Sequence, residues 1–199
     1  KEKQREIPLW MPDKKISTIK EIIVQKTHEY NFDILHLSGE SSTIDEKSGE
    51  LYLLIDPNIK DKNLQLSADE ISELIIGKRK VPIVFSNFCN SVIYSYIYSP
   101  QIEFHTKIAS KTYAYIGPFA YIPSYISASI TKEFYHNLFE PLKQGELIMG
   151  QLSTEFVSEA LKKAKLNLFL SRKSRIFGED VSYLFFVLFG NPLFRIITV

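Results

Sequence analysis

Apolar positions along the chain fall at helical spacing in some stretches and run together in others, and the two patterns alternate. In "ISTIKEIIVQKTHEY", residues 16–30, Ile16, Ile19, Ile22, Ile23 and Tyr30 sit near one helical face with charges between them. "FDILHLSG" at 32–39 and "ELYLLID" at 50–56 read as short strands. The polar stretch "SSTIDEKSG" between them reads as a loop, and Pro57 halts the second strand. "LSADEISELIIGK" predicts a helix: Ser67 and Glu70 form a capping box, Ile71, Leu74 and Ile75 the apolar stripe, and Gly77 the stop. "VPIVFSNFCNSV" at 81–92 predicts a strand from Val81 to Phe85 that gives way to Ser86, Asn87, Cys89 and Asn90. Residues 91–99 fit either a helix or a tyrosine-rich irregular segment. "TYAYIGPFAYI" at 112–122 predicts a strand with a Gly-Pro break. Two helices follow. One begins at Ser124 with Ile126, Ile130, Phe134 and Leu138 in line and ends at Gly145; the other carries Phe156, Ala160, Ala164 and Leu168. "VSYLFFVLFGNP" is a closing strand, or a short helix leading into one, stopped at Gly190 and Pro192.

Strands alternating with helices, and strands apolar on both faces, predict one α/β domain: an open, mostly parallel central sheet flanked by helices on both faces. A length of 199 residues suits one domain with a proper core, and 45% apolar against 24% charged residues is the balance of a globular chain. The net charge of +1 gives no electrostatic ground for nucleic acid or an anionic membrane as main partner. The longest apolar run, "VSYLFFVLF", is far short of the roughly 20 residues a membrane-spanning helix needs. A basic region, Lys162, Lys163, Lys165, Arg172, Lys173 and Arg175, reads as a solvated helix face and the loop after it. The single cysteine excludes an internal disulfide and suits a reducing cytoplasm. The opening "KEKQREIPLW", with no methionine or signal segment, reads as part of something longer with a further domain N-terminal to it.

Metal and cofactor chemistry find no support. His28, His36, His105 and His136 lack ligand spacing to one another or to the lone cysteine, and no glycine-rich phosphate loop is present. Parallel sheets build sites at the carboxyl ends of their strands, where the chain order reverses. Two such ends carry small polar residues: "HLSGESS" after the first strand and "SNFCNSV" after the strand at 82–85. If those strands are neighbours, Gly39, Glu40 and Ser41 meet Asn87, Cys89 and Asn90 at one sheet edge. By itself a free cysteine reads as a small buried hydrophobe. "VIYSYIYSP" just beyond it is a binding wall or a packing segment.

In their order and spacing these stretches resemble the CHAT-domain family, relatives of caspases and separase among the caspase-like cysteine peptidases. "DILHLSGE" is similar to the family strand that ends in a Gly-His signature. "GELYLLIDPNIKDKNLQLSADEISEL" resembles its hairpin strand and following helix start, and "VFSNFCNS" the strand end that carries the catalytic cysteine. "YIGPFAYIPSYISASITKEFYHNLFEPLKQGELIMGQLSTEFVSEALKKAK" follows the family's next strand and its two helices. "FVLFGNPLFRI" is similar to its closing strand. The resemblance implies a histidine–cysteine pair, with Cys89 at the nucleophile position.

At the histidine position stands Glu40. His36 lies four residues upstream, about 13 Å away if the strand runs straight on at roughly 3.3 Å per residue, so it is not expected to replace the missing base. Within a strand it reads as a core histidine. An imidazole takes the thiol proton, stabilises the thiolate as a cation and returns the proton to the leaving amine. A carboxylate at that place disfavours a neighbouring thiolate instead. The expectation is a domain that keeps scaffold and nucleophile position, has lost peptidase activity, and works through contacts with a protein or peptide. An active cysteine endopeptidase is the alternative, with Asp45, Glu46 and Glu50 as candidates for recognising a basic residue. A ligand-sensing crevice is the third.

Overall fold

The computed structural model describes residues 25, 33–43, 51–54, 65–76, 83–88, 104–144, 153–171 and 181–190. In chain order the elements are β1 (Ile34–Leu37), β2 (Glu40–Thr43), β3 (Leu51–Leu54), β4 (Gln65–Ser67) and α1 (Ala68–Glu70), the last continuing as a π-helical segment, Ile71–Ile76. They continue with β5 (Ile83–Ser86), α2 (Phe104–Ala109), β6 (Ala114–Pro118), α3 (Ser124–Lys143) and α4 (Thr154–Ser171). A 3-10 turn (Ser182–Phe185) then runs straight into β7 (Phe186–Gly190). Gln25 is helical, as the pattern at 16–30 predicts; the rest of that helix, and the segment 91–99, lie outside the described residues.

The strands form two sheets. In the main one the order is β1-β5-β6-β7, with β1, β5 and β6 parallel and β7 antiparallel to β6. β5 and β6 are buried at every position, as strands covered on both faces must be. On one face Phe85 and Ile116 meet Ile126, Ile130, Phe134 and Leu138 of α3 and Val157, Ala160, Leu161, Ala164 and Leu168 of α4. Val84 and Tyr115 point to the other face, where Leu53, Leu66, Ile71, Phe104 and Ile108 cover them. The second face is therefore covered by α1, α2 and a small antiparallel sheet, β2-β3-β4. The α/β class and the mostly parallel open sheet with helices agree with the sequence reading. Helices lie on both faces as expected, and on the second a small sheet joins them.

Several local expectations change. The start of the "SSTIDEKSG" loop belongs to β2, which pairs with β3, and Gln65–Ser67 adds β4. Short polar strands carry no apolar alternation, so only their pairing reveals them. The Gly-Pro break at 117–118 is a strand end: Gly117 and Pro118 still pair with Val187 and Phe186, while pairing with β5 stops at Ile116. Proline's missing N–H therefore costs the ladder nothing. In α4 the buried stripe is Val157, Ala160, Leu161, Ala164 and Leu168, and Phe156 packs only at its margin.

Candidate functional site

β1 and β5 are the parallel neighbours that the sequence argument needs. Their register pairs Leu37 with Ser86, and beyond it the Asn87 amide donates to the Leu37 carbonyl oxygen at 3.0 Å. The two chains leave the sheet side by side at their carboxyl ends. Glu40 lies three residues past Leu37 and Cys89 three past Ser86. Among the described strands the order never reverses along the sheet, so the site rests on this adjacency and not on a switch point.

Sequence-predicted residues divide here. Gly39 is exposed just past β1, and Asn87 is half-buried just past β5. Glu40 and Ser41 begin β2, in register with Leu54 and Leu53 of the small sheet. β1 ends at Leu37, so residue 40 is no extension of it, and the straight-strand estimate of the separation from His36 has no physical basis. Cys89 and Asn90 lie outside the described residues, as do Asp45, Glu46 and Glu50.

Asn87 is the best-anchored residue of this end. Its carbonyl oxygen accepts from Ser127 Oγ at 2.9 Å, and its Nδ2 reaches Thr131 Oγ1 at 3.5 Å. Thr131 Oγ1 in turn donates to the Ser127 carbonyl oxygen, one turn back in α3. Asn87 thus ties β1, β5 and α3 together. Its side chain also favours the protonated His36 ring, while among the described residues Ser86 Oγ on the opposite face and Gln65 Oε1 in β4 are buried without a hydrogen-bond partner. Buried polar atoms without partners are uncommon and mark strained or ligand-accepting places. The sequence carried a signal for the α3 contribution: Ser127 and Thr131, four apart, each follow an apolar stripe residue, Ile126 and Ile130.

His36 is not the enclosed core residue that its place in a strand suggested. It is exposed, yet its ring packs edge-on to Phe85 with centroids 5.3 Å apart, and lies 5.6 Å from Tyr135. Burial on that side holds its pKa below the ordinary histidine value, partly offset by the neighbouring Asn87 side chain, which favours the protonated ring. The net result is a lowered pKa, which favours the neutral imidazole, at a residue one position before the end of β1. Tyr135, stacked on Phe139 at 5.8 Å, has its phenol pKa raised by burial and remains protonated. His105 is buried against Phe189 at 4.7 Å and contacts Thr106 Oγ1; His136 is exposed, 3.9 Å from Glu140. Among the described residues no cluster of three His, Cys, Asp or Glu is placed to hold a metal, and no helix is long and apolar enough to cross a membrane.

No protein-family model matches the chain, and no curated protein matches it.

Proposed function

We propose that the chain is a CHAT-type, caspase-like domain that keeps the nucleophile position at Cys89, has Glu40 where the family histidine belongs, and acts through protein or peptide contacts in place of cleavage. The observation that supports this most is the register at the ends of β1 and β5. Leu37 stands opposite Ser86, so the two strands end together, and in sequence Glu40 and Cys89 each follow three residues later. Side by side, a carboxylate opposes ionisation of a thiol, whose free pKa of about 8.5 already leaves only a few per cent thiolate at neutral pH. The nucleophile position then lacks both its proton acceptor and its countercharge.

Reaction of the 199-residue chain with a thiol-reactive peptide probe across pH 6 to 9 tests this. The expected outcome is slow labelling of Cys89 that climbs with pH as an ordinary thiol does. Fast, saturable labelling already at pH 6 would overturn the reading. Glu40→His is expected to accelerate labelling at pH 7.

The alternative, an active cysteine endopeptidase, draws support from the place of His36, which lies at the same strand end next to the Asn87 side chain with its pKa lowered by burial. A base must be neutral at working pH to accept a proton. If the wild-type chain cleaves peptides and His36→Gln abolishes cleavage with labelling lost in parallel, this second reading replaces the first.

A further inference from the structure

β1 is an outer strand of the main sheet, and among the described residues nothing pairs with its far side. The bonds to β5 show which groups that side presents. Asp33 and Leu37 both turn their carbonyl oxygens to β5, accepting from the Ile83 and Asn87 amides at 3.0 Å. In a parallel ladder successive residues face alternate sides, so Ile34 and His36 present two N–H and two C=O groups to the open edge. Natural edge strands are usually blunted by lysine, proline or a bulge, and "ILHL" has neither of those residues. Ile34 packs at the margin of the α3–α4 cluster and Leu35 at the margin of the other, so both faces of the strand are only half-covered. An aromatic shelf lies beside this edge on the α3 face. His36 sits 5.6 Å from Tyr135, and Tyr135 stacks on Phe139 at 5.8 Å, both of them half-buried. Lys132 stands one turn before Tyr135, exposed and in no ion pair among the described residues.

We infer that the free edge of β1 takes up an extended segment of a partner protein as an added strand, with apolar side chains over the Tyr135–Phe139 shelf and an acidic residue for Lys132. Each feature removes a competitor. Free backbone groups at every second residue are matched by another extended backbone, and not by a helix, whose own amides are already bonded within it. A second copy paired antiparallel through its β1 brings Asp33 as the only acid of that strand. Alternation places Asp33 with Leu35 and Leu37, on the face opposite to α3. In that two-fold arrangement each face meets the same face of the copy, so Lys132 gains no carboxylate. The edge also leads into the candidate site, since His36 is one residue before the end of β1 and next to the Asn87 side chain. A strand added there delivers the rest of the partner to that end. The inference deepens the contact function proposed above and rests on it.

The test uses the full 199-residue chain and a fluorescent nine-residue peptide with Glu, Val, Phe, Val and Glu at its odd positions and Thr between them. Saturable, micromolar binding is expected, with slowed amide exchange at Ile34 and His36 and no change at Leu35, whose amide faces β5. N-methylation of one alternating set of peptide amides is expected to weaken binding at least tenfold, and of the other set less than twofold, because only one set faces β1. Ile34→Pro, which removes an edge N–H, is expected to weaken it at least tenfold, and Lys132→Glu, at an exposed position, at least threefold. Equal binding by the two methylated peptides, unchanged exchange at Ile34 and His36, or no saturation below about 100 µM would overturn the inference. A dimer of the chain alone that Ile34→Pro dissociates would also overturn it, in favour of a second copy. Slow Cys89 labelling without peptide binding would overturn this inference alone, whereas fast labelling with peptide binding would overturn the proposed function instead.

Discussion

His36 concentrates the residue-scale physics of the candidate site. Packing against Phe85 and Tyr135 removes water from one side of the ring, and a desolvated imidazole resists protonation. With the folded-state pKa below the unfolded value of 6.5, the unfolded chain binds the extra proton between the two. His36 therefore contributes stability that is fully present above pH 6.5 and falls as pH drops through the folded-state pKa. Melting midpoints at pH 7 and pH 5 are expected to differ less in His36→Gln than in the wild type. An equal drop in both would remove the burial argument. Lys165 is the second residue whose environment departs from its sequence reading as a solvated charge. Its amine, with a pKa lowered by burial, is held to the carbonyl oxygens of Leu184 and Phe186. Lys165→Met is expected to cost about 1 kcal/mol, the net worth of an ordinary hydrogen bond, since water at this half-open site screens the charged donor. It is also expected to speed amide exchange at the start of β7 while leaving β5 unchanged.

At the scale of elements, the capping box was legible in full. Ser67 Oγ accepts from the Glu70 amide at 3.1 Å and Glu70 Oε2 accepts from the Ser67 amide at 2.9 Å. What the spacing did not give was the path after the first turn, where the helix widens to π geometry over Ile71–Ile76 and Ser72 becomes buried. Ile71, the first residue of the expected stripe, is fully buried. Gly190, expected as a stop, also permits a close approach at the end of β7. A Cβ there would come within 2.9 Å of both the Tyr113 carbonyl oxygen and Thr154 Cγ2. The carbonyl belongs to backbone and cannot swing aside as a side chain does. Gly190→Ala is expected to lower stability by about 1–3 kcal/mol, as overpacking does, measured by urea unfolding. A neutral result would mean that the β6–β7 end relaxes freely.

For the whole molecule, stability rests on two apolar clusters on opposite faces of β5 and β6, the larger built by α3 and α4. Phe134 sits at the centre of that cluster, fully buried and stacked on Phe85 at 4.8 Å. Phe134→Ala is expected to cost about 3–5 kcal/mol in denaturant unfolding. A smaller loss would show the cavity collapsing. The α3 stripe Ile126, Ile130, Phe134 and Leu138 could be named from spacing because a long helix repeats its signal over several turns. β2 and β4 could not, being short, partly polar and defined by partners distant in the chain.

Sequence alone determined the alternation of strands and helices, the buried character of β5 and β6, the cap at Ser67 and the identities of Glu40 and Cys89, since each depends on residue type and local period. Tertiary structure decided that β1 and β5 are neighbours, that Leu37 stands opposite Ser86, that residue 40 belongs to a second sheet, and that Asn87, Ser127 and Thr131 join at one strand end. Those are contacts between segments dozens of residues apart. They are fixed by hydrogen-bond register and core packing, which no local pattern of polar and apolar positions encodes.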